Sequence, residues 1–275
     1  MKSSRAKYAS FLKFGAVMGV VGMAVLLSAC GDEADTKDRV AQPENKTLKV
    51  AVTGNRAPFT FVDNKGLPIG FDVDVITHIA TKNGYEVKFN ILPWQDLFPS
   101  VESGGSDMAI SAILYSVERE GKYLLSNPYT YMPASILSLE KTGISSVEDL
   151  KPLRLGMLSG SIFQNFANAH GIDQVVFQSK NFLTFKDLVR GDVDAIIAGK
   201  QIVGHMADNY PDYQFNLLEA GDINDKGSYT VALASKNQTA LIQMFNTGIA
   251  DMKASGELAR LEKKWFDNSN NAQTQ

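Results

Sequence analysis

Apolar and polar residues follow two rhythms along this chain, and the switches between them predict its elements. LKVAV (48–52) reads as a strand, and PFTFV (58–62) as a second extended run that enters the Asn64-Lys65-Gly66 turn. Val73, Ile76, Ile79 and Ala80 then recur near helical spacing over 71–82, and Asn83-Gly84 ends that helix. EVKFNIL (86–92) predicts a strand and 94–103 a helix closed by Gly104-Gly105. DMAISAIL (107–114) is an apolar run of the kind covered on both faces in a parallel sheet.

A second set repeats the first. LRLGML (153–158), QVVFQ (174–178) and DAIIAG (194–199) predict strands, with helices over 161–169 and 182–190 between them. GGSDMAI (104–110) and GDVDAII (191–197) share one plan: a helix ends on glycine, an aspartate follows, and a buried strand starts. The strand YTVALAS (229–235) and helices from about 238 to 266 read as a return to the first half. The rhythm implies an α/β protein of two lobes, with 47–134 plus 230–268 forming lobe 1 and 135–229 forming lobe 2. Two segments crossing between lobes make a hinged cleft, faced by strand C-termini and helix N-termini, where α/β sheets take their ligands. Residues 269–275 form a polar tail.

With 275 residues, 44% of them hydrophobic and 21% charged, the chain is long enough for two modest cores. A formal net charge of −3 gives no basic footprint for nucleic acid. The single cysteine, Cys30, excludes an internal disulfide. Lys2, Arg5, Lys7 and Lys13 precede the uncharged run Phe14 to Ala29, the layout of a secretory signal over 1–29. That run closes with Leu27-Ser28-Ala29-Cys30, which is similar to the bacterial lipobox and implies that Cys30 carries the lipid. The mature chain is then held on the extracytoplasmic face of a membrane, periplasmic in a cell with two membranes, through the polar tether 30–46.

GFDVDVITHIATKN (70–83) resembles the signature of the bacterial family 3 extracellular solute-binding proteins, the polar amino acid binders. LKVAVTGNRAPFTF (48–61), SDMAISAILYSVER (106–119), SNPYTY (126–131), SVEDLKPLRLGMLSGS (146–161), GDVDAIIAG (191–199) and LEKKWF (261–266) follow in that family's order and spacing. The resemblance implies a type II periplasmic-binding-protein fold and a monomeric substrate-binding lipoprotein of an ABC importer. Its expected partners are an ABC permease and a small amino acid or related carboxylate. It also implies that Arg119 holds the ligand carboxylate, a role its planar, permanently charged fork suits. Ser161, read at a helix start after glycine, is a second anion contact or a plain N-cap. Phe59 and Trp94 match apolar walls of the site, or belong to the core, and Ser111 and Ala112 line it. Asp72 and Asp74, two apart on one helix, do not face each other and suit its N-terminal dipole instead.

Three positions depart from the family pattern. Gly199, followed by Lys200, stands where an ammonium-binding acid is usual. Thr53 replaces a frequent aspartate, with Arg56 at a place often aromatic, and Leu114 replaces a hydroxyl residue. A buried cation without a counter-charge is heavily penalised, so the ligand is expected to be other than a standard cationic amino acid, with Arg56 and Lys200 adding positive charge near the cleft. An enzyme similar to cyclohexadienyl dehydratases and a sensory lipoprotein without a transporter are the alternatives. His78, His170 and His205 are scattered without triad or metal-ligand spacing, so no catalytic residue, metal or cofactor is expected.

Overall fold

A computed structural model describes residues 46–223 and 227–267. The expected signal segment, Cys30, nearly all of the tether and the polar tail lie outside the described residues.

The described residues begin with β1 (Lys46–Val52), β2 (Asn55–Arg56), β3 (Thr60–Val62) and β4 (Pro68–Ile69), then α1 (Phe71–Lys82), β5 (Tyr85–Ile91) and α2 (Trp94–Glu102). β6 (Met108–Ala109), α3 (Val117–Lys122), β7 (Leu124–Leu125) and β8 (Thr130–Tyr131) follow. A second body holds β9 (Ala134–Leu139), β10 (Leu155–Leu158), α4 (Phe163–Ala169), β11 (Val175–Gln178), α5 (Asn181–Arg190), β12 (Ala195–Gly199), α6 (Lys200–Asp208) and β13 (Phe215–Gly221). The chain closes with β14 (Tyr229–Thr230), β15 (Leu233–Ala234), α7 (Thr239–Ala254) and α8 (Glu257–Phe266).

Two five-stranded sheets organise the two lobes. The first runs β5-β1-β6-β15-β7 and the second β11-β10-β12-β9-β13. In each, three neighbouring strands run parallel and the fourth (β15 or β9) runs against them and pairs antiparallel with the edge strand (β7 or β13), so the internal echo of the sequence is an echo of topology. β1 lies between β5 and β6, and its apolar side chains Leu48, Val50 and Val52 are buried. The strands that cross between the lobes meet at β8 and β14, which pair antiparallel. Beside them Met132 N–H donates to Ser228 O at 2.7 Å. Asp222 Oδ1 accepts from Tyr131 O–H at 2.9 Å and from Ser228 N–H at 2.8 Å, fastening the hinge.

Three expectations need correction. The run 107–114 forms a strand only over Met108–Ala109, because Ala112 turns the backbone to φ +47°. YTVALAS divides into β14 and β15. The helix read from 161 begins at Phe163. In addition β9, β13, α3 and α6 carry no strong sequence signal, being a buried strand, its half-exposed antiparallel partner and two short helices.

The last helix locks onto the first. Asp74 Oδ2 accepts from Lys264 Nζ at 2.7 Å and from Trp265 Nε1 at 2.8 Å, joining α8 to the first turn of α1. The Phe266 ring lies 5.0 Å from Phe59 and 4.7 Å from Phe71, so these aromatics share one buried cluster.

Candidate functional site

The site is built where β1, α1 and the turn after β6 meet. Gly70 enters α1 at φ 131°, where a Cβ would stand 2.2 Å from Phe59 O, so only glycine fits. Asp72 follows and is fully buried. Its carboxylate accepts Ala112 N–H at 2.6 Å and Tyr129 O–H at 2.9 Å. Asp72 thus does more than suit the helix dipole: it holds the left-handed turn at Ala112 in place. Burial pushes its carboxyl up to about 6, although both hydrogen bonds and Arg56 pull the other way.

Three hydroxyls close the turn from the other side. Thr53, Thr60 and Ser111 form a buried triangle with Oγ separations of 2.6, 2.7 and 3.0 Å. Thr53 and Ser111 were expected to face the ligand, but here they satisfy each other. Thr60 completes the triangle and was missed, since an alternating strand gives no hint of its partner.

Two guanidinium groups lie on one indole. The Arg56 guanidinium carbon is 4.4 Å from the Trp94 ring centroid and that of Arg119 is 5.6 Å away. Arg119 is on α3, with its N–H capped by Ser116 Oγ at 3.2 Å and one Nη donating to Leu114 O at 2.6 Å. Leu114, which lacks the hydroxyl, therefore contributes its backbone carbonyl. Arg56 is buried and gives one hydrogen bond, to Ala112 O at 3.3 Å, while its Nε and other Nη have no partner. Burial, joined for Arg56 by the neighbouring Arg119, lowers both arginines to about 10. Both remain charged at neutral pH.

Arg119 opens onto a cavity of about 380 Å³ between the lobes. Phe98, Ser116 and Tyr123 border it on one side, and Gly160, Ser161 and Asn165 on the other. The Trp94 indole N–H donates across to Gly160 O at 3.3 Å. Ser161 Oγ is buried without a partner. Ser161 is not an N-cap, as α4 is preceded by Ile162 with no side-chain cap.

The remaining candidates lie elsewhere. Phe59 is in the aromatic core rather than on the cleft wall. Gly199 ends β12, and a Cβ there would stand 2.3 Å from Met132 Sδ, so the methionine fills the room a side chain would need. Lys200 does not join the arginines: its ammonium pairs with Glu219 at 2.8 Å in an exposed position bordering a different groove with Trp265. Among the histidines, His170 caps α4 through Phe166 O, His78 lies 3.9 Å from Glu257, and His205 packs by Phe61, so the three do not converge.

Two sheets, a fastened hinge and an arginine-lined cleft define a two-lobe binding protein of the periplasmic type. The chain belongs to the bacterial extracellular solute-binding proteins, family 3, whose model matches residues 48–268. It is 26% identical over 247 residues to a probable histidine-binding protein of Neisseria gonorrhoeae, covering 88% of this chain and 91% of that one. It is 28% identical over 258 residues to the L-cystine-binding protein TcyJ of Escherichia coli K12, covering 91% and 94%. Among solved structures, the arginine-, lysine-, histidine-binding protein ArtJ of Geobacillus stearothermophilus superposes with a TM-score of 0.73 at 25% identity, covering 80% of this chain and 95% of that one.

Proposed function

We propose that this protein is the substrate-binding lipoprotein of an ABC importer, anchored through Cys30 on the extracytoplasmic face. It captures an amino acid or related small carboxylate between residues 47–134 with 230–268 and residues 135–229. The observation that carries this reading is Arg119, whose guanidinium borders the interlobe cavity and has no ion-pair partner among the described residues. A carboxylate entering there would meet a desolvated, preorganised fork, the strongest kind of hydrogen-bonding partner for it. Ser161 Oγ, on the opposite side, has an unused hydroxyl for the same ligand. Contacts from both lobes favour the closed arrangement, because a ligand shifts an equilibrium only by its differential affinity for the two states.

The names of the relatives support transport rather than catalysis, since histidine-, cystine- and arginine-binding proteins share this fold and length. The test is calorimetric titration of full-length protein in mild detergent with amino acids and small carboxylates. Saturable binding that Arg119→Gln abolishes supports the reading. Binding that survives this substitution unchanged refutes the assignment of Arg119.

A further inference from the structure

Arg56, buried behind the cavity against the Trp94 indole, is the group the site does not otherwise explain. Its side chain is buried, yet two of its three guanidinium nitrogens have no acceptor. Leaving charged donors unpaired inside a protein costs more than leaving neutral ones, so a site that retains them has a use for them. Arg119 lies on the same indole, and the two guanidinium carbons are no more than about 10 Å apart, the sum of their distances to its centroid. Like charges held this close repel, and neither is in an ion pair among the described residues. The carboxylate whose field reaches Arg56 is Asp72, but both its oxygens are engaged by Ala112 and Tyr129. The field of Glu118, at the rim, reaches Arg119, but that carboxylate is exposed and paired with Lys122. The second-lobe strand offers no acid either, since Gly199 has Met132 packed into its side-chain space.

Resting on the receptor reading above, we propose that Arg56 and Arg119 together bind a small dianion lacking an ammonium group, such as a short dicarboxylate or an N-acylated acidic amino acid. One carboxylate takes the Arg119 fork and the other satisfies the free Nε and Nη of Arg56, both guanidinium groups lying against the Trp94 indole. A short chain with a carboxylate at each end spans that separation. An ammonium group would bring a further positive charge beside two guanidinium groups, where no unpaired carboxylate is found among the described residues.

The experiment is titration of the full-length protein with succinate, glutarate, 2-oxoglutarate and N-acetylglutamate, alongside glutamate, glutamine, histidine, arginine and cystine. Wild type, Arg56→Gln, Arg56→Lys and Arg119→Gln are compared, with circular dichroism confirming that each is folded. The expected result is that one of the ammonium-free dianions binds at least tenfold tighter than any amino acid. Arg56→Gln should weaken it by about tenfold or more, with Arg56→Lys intermediate, because charge survives without the fork. Tightest binding of an amino acid, abolished by Arg119→Gln and indifferent to Arg56→Gln, would overturn the dianion and keep the receptor. Unchanged dianion affinity in Arg56→Gln would also overturn the proposal. Failure of every compound to bind would overturn the receptor reading and the dianion with it.

Discussion

Met132 and Gly199 share a volume that only one side chain can occupy. Gly199→Asp should therefore cost about 1–3 kcal/mol by overpacking, read as a lower urea midpoint, and adding Met132→Ala should recover part of the loss. Asp72 offers a second residue-level test. Its carboxyl sits at about 6, against 3.8 for the free side chain. The folded protein thus keeps this proton where the unfolded chain has released it. The resulting stability is fully present below 3.8 and is lost as pH rises to about 6. Asp72→Asn should remove that slope from the difference between the two stability profiles, measured by urea unfolding at stepped pH. Both effects escape a reading of the sequence for the same reason. Asp72 was legible as a first-turn carboxylate, and Gly199 as a missing acid, but their partners Ala112, Tyr129 and Met132 are 40, 57 and 67 positions away. Local spacing says nothing about such pairs.

Elements were legible where one rhythm persisted. β1, α1, β5, α5 and β12 lie close to where periodicity puts them, because each buries one regular face or lies wholly inside. The run 107–114 misled for the opposite reason: an unbroken apolar string has no period, so nothing marks the point where strand gives way to the Ala112 turn. That turn lies beside the candidate site, and the carboxylate of Asp72 shows what holds it. Trp94, the first residue of α2, reads in the sequence as wall or core; it is buried, bears two arginines on its ring and reaches the second lobe with its N–H. Trp94→Phe keeps an aromatic ring at this position and deletes the hydrogen bond to Gly160. It should leave the fold intact and weaken ligand binding by about 1 kcal/mol, roughly fivefold, seen by calorimetry.

At the scale of the molecule, the two-lobe plan and its two crossing segments were readable from the repeated strand-helix order, whereas the contacts that fasten the hinge were not, since they rest on β8, β14 and Asp222 meeting from distant parts of the chain. A saturating ligand should stabilise the whole protein by mass action, by about 2.7 kcal/mol at one hundred times its dissociation constant. A thermal melt with and without the best-bound compound checks this. The return of the chain to its first lobe has a further consequence, for the order in which the protein is made. All strands of the second sheet exist once residue 221 has left the ribosome. The first sheet then still lacks β15, the strand that sits between β6 and β7. The Asp74–Lys264 pair, 190 residues apart, must wait for the final helix, as must the Phe266 ring that covers Phe59 and Phe71. Closing contacts across so much chain is slow. The lobe whose synthesis begins first is therefore completed last, and its edges at β6 and β7 stay open to solvent and to other strands until translation is nearly done.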